Sequence, residues 1–152
     1  MRQWLVLAGF IALCISVGSL AGWVTVQSVA EWYPTLNKPS WTPPSWLFGP
    51  VWSVLYVMMA IAAWLVWRAG NAQVALTWFG VQLLFNFGWS FLFFGQRSPS
   101  LGLLDIILLW SSIVVTIYLF NKKSRLAAIL MLPYLAWVSF ASALNAAIWV
   151  MN

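Results

Sequence analysis

The stretch LGLLDIILLWSSIVVTIYLF, from Leu101 to Phe120, decides the fold class of this chain. It runs for 20 residues, and Asp105 is its single charged side chain. A helix needs about 20 predominantly apolar residues to cross the ~30 Å hydrocarbon core of a bilayer. The stretch therefore predicts a membrane-spanning α-helix.

Similar apolar stretches fill most of the remaining sequence. Pro43-Pro44 suits the first turn of a helix, and Ser98-Pro99 is typical of an N-cap followed by the first helical residue. One connection, about Gln27–Pro44, is long enough to have a structure of its own. We predict a single all-α domain over residues 1–152, an integral membrane bundle of five transmembrane helices. Its spans are about Trp4–Val26, Ser45–Trp67, Val74–Gly95, Leu101–Phe120 and Leu126–Met151.

The composition excludes several classes of protein. Of the 152 residues, 64% are apolar and 6% are charged, whereas a soluble domain carries about 25% charged residues. Such a chain could not cover a water-facing surface, which excludes a soluble enzyme and a disordered tail. The net charge of +5 does not indicate nucleic acid, because the basic residues are scattered and form no basic helical face. Histidine is absent, which removes imidazole bases and most zinc sites, and we expect no metal site.

The basic residues of the short loops predict the orientation, because the side richer in Lys and Arg is normally cytoplasmic. The number of basic residues in the loops on each side places the N-terminus in the cytoplasm. The long loop and the C-terminus are then outside, as in a bacterial plasma membrane. Arg2 and the small residues near Ala21 also resemble a signal peptide, but the apolar run continues past Ala21 and favours a retained helix. One side carries five basic residues and the other two: Arg2, Arg68, Lys122, Lys123 and Arg125 against Lys38 and Arg97.

Polar residues inside a span need a partner, because an unsatisfied polar group is costly in lipid. Gln82 and Asn86 are four residues apart, and Trp89 follows three residues later, so all three share one helical face. The two amides either join neighbouring helices by hydrogen bonds or face a ligand. Both interpretations stay open on the sequence alone.

Three tryptophans share helical faces with small or polar residues. Trp52 aligns with Tyr56 in the second span, and Trp89 belongs to the amide face of the third. Aromatic residues at helical spacing usually pack in a core or form the interfacial belt. Flat indole rings beside small side chains also suit a planar, largely apolar ligand. In the fifth span the shared face contains Trp137, Ala141, Leu144 and Asn145.

The remaining polar and small-residue features of the spans indicate structural roles more than a ligand site. Asp105 lies near the start of a helix, close in sequence to Arg97, where the helix dipole favours an acid. A structural role for Asp105 is favoured over a proton relay. Gly18 and Gly22 are spaced for close helix approach, a common pattern in lipid. No nucleophile–base pair or phosphate loop is visible, so composition and spacing indicate a small binding or transport bundle.

The sequence resembles the translocator protein family, also called TspO/MBR, tryptophan-rich sensory proteins or peripheral-type benzodiazepine receptors. The resemblance begins with WYPTLNKPSWTPP, Trp32–Pro44, and its motifs recur in order across nearly the whole chain. The later motifs are Phe48–Trp52, Leu55-Tyr56, Gln82-Leu83, Asn86, Phe93–Gly95, Pro133–Trp137, Phe140-Ala141 and Leu144-Asn145.

The resemblance implies a homodimeric five-helix bundle whose pocket binds porphyrins, including protoporphyrin IX and haem, and synthetic isoquinoline carboxamide or benzodiazepine drugs. No cofactor is required, because the porphyrin is the ligand. Tyr33 and Trp41 would belong to the loop that closes the pocket. The tryptophans matching Trp52 and Trp137 are implicated, in some bacterial members, in light- and oxygen-dependent porphyrin breakdown. By matched position the pocket would be lined by Trp52, Gln82, Asn86, Trp89, Trp137, Ala141 and Asn145.

The sequence departs from animal members at the end of the fifth helix. Residues Leu144–Asn152 contain neither the Tyr nor the basic residue of the animal cholesterol-recognition pattern, which argues against sterol recognition of that kind. Some relatives occur in outer membranes, so that location is the alternative to the plasma membrane. The leading hypothesis is a porphyrin-binding protein for sensing, transport or disposal. The alternatives are a photo-oxidative porphyrin-degrading enzyme and a small-solute transporter or channel.

Overall fold

The computed structural model describes all residues 1–152 and consists of helices joined by short connections. All five helices are long and apolar enough to cross a membrane, which confirms the predicted fold class. A π-helical turn, Phe91–Gly95, extends α3, and two 3-10 turns, Tyr33–Thr35 and Ser45–Leu47, lie in the long loop. The helices are α1 Arg2–Glu31, α2 Phe48–Arg68, α3 Gln73–Ser90, α4 Pro99–Asn121 and α5 Arg125–Met151.

The helix ends follow local chemistry. The hydroxyl of Ser98 accepts a hydrogen bond from the backbone N–H of Leu101 at 3.3 Å, so Ser98 caps α4 as predicted. Ser124 caps α5 in the same way. Gly70 and Asn71 take positive φ angles of 77° and 48°, which lets α2 turn sharply into α3.

The first helix is longer than predicted. The expected loop began at Gln27, but α1 continues to Glu31 because no proline or glycine interrupts the chain before Pro34. Ser28 lies in this last turn and is buried, with its hydroxyl donating to the carbonyl oxygen of Phe94 at 2.5 Å. The final turn of α1 is therefore attached to the end of α3.

The five helices are arranged in a ring. Going round the ring, α1 packs on α2, α2 on α5, α5 on α4, α4 on α3, and α3 returns to α1. The main apolar core fills the half of the ring near the α2–α3 and α4–α5 turns, where Met59, Phe79, Ile113 and Met131 are almost fully buried. A smaller cluster around Phe93 and the 3-10 turn that begins at Tyr33 closes the half near the long loop. Between these two packed regions the ring is hollow.

Candidate functional site

A cavity of about 460 Å³ occupies the loop-side half of the ring. Its walls come from α1, the start of α2, the end of α3 and the last third of α5, and the 3-10 turn of the loop lies above it. Most of the 23 lining residues are apolar or small. The aromatic ones are Tyr33, Phe48, Trp52, Tyr56, Trp89, Phe93 and Phe94.

Two indole rings form part of the wall and are held in place by their neighbours. Trp52 packs beside the ring of Tyr56 at 5.7 Å between centroids, and Trp89 stacks on Phe93 at 5.4 Å. The Trp89 Nε1–H donates to Oδ1 of Asn145 at 3.0 Å. The Asn145 amide nitrogen in turn donates to the backbone carbonyl of α4's first residue at 2.8 Å. Because the indole N–H of Trp89 and the amide of Asn145 are already hydrogen-bonded, these two side chains present an aromatic surface to a ligand and few free polar atoms.

A layer of hydrogen-bonded side chains, which we call the amide–phenol layer, lies beneath the cavity. The hydroxyl of Tyr56 donates to Oδ1 of Asn86, and Nδ2 of Asn86 donates to the hydroxyl of Tyr134 at 2.8 Å. The Tyr134 hydroxyl donates to Oε1 of Gln82 at 2.7 Å, and Nε2 of Gln82 contacts the sulfur of Met59 at 3.7 Å. The layer joins α2, α3 and α5. The structure therefore shows that both amides join neighbouring helices by hydrogen bonds.

The structure brings five of the nine predicted site residues to the cavity and leaves four outside its lining. Gln82 and Asn86 are 0% and 2% exposed, in the amide–phenol layer. The other two outside the lining are Trp41 and Trp137. The residues on the wall are Tyr33, Trp52, Trp89, Ala141 and Asn145.

Trp137 does not line the cavity but contacts Phe48, which does. The Phe48 ring lines the cavity and meets Trp137 edge-on at 5.9 Å between centroids. Trp137 also packs on Phe140 at 5.6 Å, and the half-exposed Trp41 reaches the same Phe140 ring at 5.7 Å. Nε1 of Trp137 is buried without a hydrogen-bond partner. The two tryptophans thus belong to one aromatic group, built around Phe140, that contacts Phe48.

The loop above the cavity is fastened by its own side chains. Lys38 Nζ donates to the carbonyl oxygens of Tyr33 at 2.7 Å and Leu36 at 3.0 Å, and lies 4.8 Å from the centre of the Tyr33 ring. The Tyr33 side chain is 5% exposed, and burial raises the pKa of its phenol. The Lys38 ammonium is therefore occupied in holding the loop.

A second attachment joins the loop to the end of α5. The backbone N–H of Asn37 donates to Oδ1 of Asn152 at 3.0 Å, and Nδ2 of Asn152 donates back to the carbonyl of Asn37 at 2.9 Å. The Asn37 side chain also donates to the carbonyl of Met151 at 3.3 Å. These three bonds hold the loop across the top of the ring.

Sequence reasoning missed the whole α1 wall. The spacing of Gly18 and Gly22 predicts close helix approach at both positions, and the structure gives them different surroundings. A Cβ on Gly18 would lie 2.6 Å from the Tyr56 ring, whereas one on Gly22 would meet nothing within 4 Å. The available signal was the group of small residues Gly18, Ser19, Ala21, Gly22 and Thr25 in the second half of α1. The α1 lining is Ile15, Gly18, Ser19, Ala21, Gly22, Thr25, Val26 and Val29.

Asp105 lies outside the cavity and has a packing role. It is 7% exposed, and its Oδ1 fills the notch left by Gly88, 2.8 Å from where a Cβ on that glycine would be. Its Oδ2 has no hydrogen-bond partner. Arg97 forms its ion pair with Glu31 at 3.1 Å instead.

Five apolar helices around an internal cavity define a small multi-pass membrane protein. The TspO/MBR family model matches residues 10–150, and the chain belongs to that family. It is 46% identical to the tryptophan-rich protein TspO of Chlorobaculum tepidum, over 99% of this chain and 98% of that protein. The TspO of Archaeoglobus fulgidus is 43% identical over 96% of each chain. The human translocator protein is 39% identical over 77% of this chain and 72% of its own length.

Proposed function

We propose that this protein binds tetrapyrroles, protoporphyrin IX and haem, and hydrophobic drug-like molecules in the intrabundle cavity, in the service of porphyrin sensing, transport or disposal. The observation that carries the proposal is the pair of indole walls, Trp52 and Trp89, around a space of about 460 Å³. Small-molecule pockets measure about 300–1,000 Å³ and are mainly apolar, with few polar groups. Family membership supports the same conclusion.

The lining favours a flat, apolar guest. Indole faces prefer stacked or edge contacts with another π-system, and such contacts contribute about 0.5–1.5 kcal/mol beyond area burial. No lining side chain carries a charge, so acidic substituents of a porphyrin would stay at the rim of the cavity. The chain has no histidine, and free-base protoporphyrin is therefore expected to bind at least as well as haem.

The direct test is a titration of the protein in lipid nanodiscs with protoporphyrin IX in darkness, followed by quenching of tryptophan fluorescence. Trp52→Phe shortens the stacking surface and should weaken binding about fivefold, corresponding to about 1 kcal/mol. Trp78→Phe is the matched control, because Trp78 is exposed on α3 and lies outside the cavity lining. Non-saturable quenching, or equal losses in the two variants, would contradict the proposal.

Photo-oxidative porphyrin degradation is the second candidate. Trp52 lines the cavity and contacts two phenol rings, Tyr56 at 5.7 Å and Tyr134 at 6.1 Å between centroids, so oxidisable side chains adjoin a bound macrocycle. Light would excite the porphyrin, dioxygen would be the oxidant, and the macrocycle would be the species oxidised. Unchanged product spectra and rates in an illuminated Trp52→Phe, Trp137→Phe double variant would exclude a role for these tryptophans.

A channel for small polar solutes gains no support from the amides. The polar groups of the amide–phenol layer bond to one another and span the interior between α2, α3 and α5. Such a layer is a structural crosslink. If Asn86→Leu abolished solute flux into proteoliposomes and left porphyrin binding intact, the channel would become the favoured function.

The proposal extends to assembly and location. A homodimer, a lipid-bilayer setting in the bacterial plasma membrane and a cytoplasmic N-terminus are supported by the family resemblance and by the loop charges, with the outer membrane as the alternative. A cysteine introduced at Asn71 or Lys38 and probed with impermeant reagents in intact cells would report the orientation. Labelling from outside at position 71 alone would overturn it.

A further inference from the structure

The cavity has exposed lining residues along one side of the ring. All of them belong to α1, to α2 or to the 3-10 turn that leads into α2, and every lining residue of α3, α5 and the Tyr33 turn is buried or partly buried. The exposed lining residues are Ile15, Ser19, Gly22 and Val26 on the α1 side and Ser45, Gly49 and Ser53 on the α2 side.

The two helices meet closely at the far end and part toward the loop. Near the α1 start, Trp4 stacks on Trp64 at 5.5 Å and the Trp64 indole donates to the carbonyl of Gln3 at 2.9 Å. Halfway along, Gly18 touches the Tyr56 ring. Beyond that point both helices have open positions on the cavity lining, since a Cβ added to Gly22 or Gly49 would meet nothing within 4 Å.

By contrast, the long loop covers the end of the cavity that faces water. Tyr33 lies over it and is 5% exposed, Lys38 is bonded to the loop's own carbonyls, and Asn37 is bonded to Asn152. Both helices beside the gap are membrane spans, so the gap faces the acyl chains of the loop-side leaflet.

We propose that the gap between α1 and α2 is a lateral portal through which ligands pass directly between the bilayer and the cavity, and that Gly22 and Gly49 set its width. The proposal rests on the proposed function for the identity of the ligand. It assigns the ligand class as membrane-partitioned molecules that are thin enough to pass edge-first between two helices. The serine hydroxyls at positions 19, 45 and 53 are the polar groups along the portal, and they would meet polar substituents as the apolar body moves inward.

The test replaces the two portal glycines and measures rates. Gly22→Leu and Gly49→Leu, singly and together, place a side chain in open space without a clash. The control is Gly9→Leu, because Gly9 lies on α1, is exposed, has nothing within 4 Å of a Cβ and does not line the cavity. Protoporphyrin IX association and dissociation are followed by stopped-flow tryptophan quenching in nanodiscs.

An obstructed passage slows arrival and departure together, whereas a lost contact speeds departure. We therefore expect both rate constants of the double variant to fall about tenfold and those of Gly9→Leu to match the unmodified protein. Asn152→Ala, which loosens the loop, should leave both rates unchanged. Unaltered rates in the double variant, or acceleration by Asn152→Ala, would overturn the portal.

A second measurement separates the portal from porphyrin binding. Ala141→Cys, in a Cys14→Ala background, places a thiol on the α5 wall of the cavity. A lipid-soluble maleimide should label it and a sulfonated, water-soluble maleimide should not, and Gly49→Leu should slow the labelling about tenfold. If protoporphyrin fails to bind but this slowing is observed, the proposed function fails and the portal stands. Equal labelling with and without Gly49→Leu overturns the portal whatever the porphyrin does.

Discussion

Replacing Gly18 by alanine tests how closely α1 packs on α2. The added methyl would lie 2.6 Å from Cε2 and 2.7 Å from Cδ2 of Tyr56. The Tyr56 ring cannot easily retreat, because its hydroxyl bonds to Asn86 and its face packs beside Trp52. Forcing a methyl group into a well-packed site costs about 1–3 kcal/mol. We expect Gly18→Ala to lower the free energy of unfolding by about 2 kcal/mol.

Gly22→Ala is the matched control, one turn further along the same helix. A Cβ at Gly22 meets nothing within 4 Å, and alanine gains up to about 1 kcal/mol in helix propensity over glycine. The unfolding free energy should therefore be unchanged or slightly raised. The assay is a reversible SDS titration in mixed micelles, followed by far-ultraviolet circular dichroism.

A double variant isolates the contact. When Tyr56→Ala removes the ring, the added methyl at Gly18 no longer clashes, so the cost of Gly18→Ala should shrink to within about 0.5 kcal/mol of zero. Equal effects of the two glycine variants, or an undiminished cost in the Tyr56→Ala background, would refute the reasoning. The two glycines would then act as one helix-packing motif, which is what their spacing alone indicates.

Three further predictions concern the amide–phenol layer and the loop. Tyr134→Phe leaves two buried amides short of a partner and should lower the unfolding free energy by about 1–3 kcal/mol in the same titration; an unshifted transition would count against the layer. Asn152→Ala removes two hydrogen bonds to Asn37, and loop amides should exchange hydrogen about fivefold faster by mass spectrometry while α4 is unaffected. Burial raises the pKa of Tyr33, so the folded state retains a proton that the unfolded state loses above about pH 10, and stability should fall as pH rises past that value. Tyr33→Phe should flatten this fall, and an equally steep fall in Tyr33→Phe would contradict it.

The helices were predictable because a membrane span depends only on a local run of apolar residues. Twenty apolar residues must be helical in lipid, where every backbone polar group needs an internal partner. The end of α1 was less predictable, because the polar residues after Val26 suggested a loop. No proline or glycine interrupts the helix there, and its last turn is held by the Ser28 hydroxyl on the Phe94 carbonyl.

The site was predictable in part, since helical spacing fixes which residues share a face but leaves the neighbour across that face undetermined. Gln82 and Asn86 do share a face, and the side chains opposite are the phenols of Tyr56 and Tyr134. Trp137 shares a face with Ala141, yet it packs on Phe48 and does not line the cavity. Sequence alone gives no means of seeing such a contact between helices.

The hollow half of the ring depends on the packed half. An apolar space inside a bundle tends to collapse unless its walls are held apart, because interiors otherwise pack to crystal-like density. Here the amide–phenol layer fixes α2, α3 and α5 at one depth, since each of its hydrogen bonds tolerates little change in distance. At the top, Asn152 and Lys38 hold the loop. The proposed opening to the membrane lies on the α2 side of α1, between the contact of Gly18 with Tyr56 and the final turn of α1, which Ser28 attaches to the end of α3.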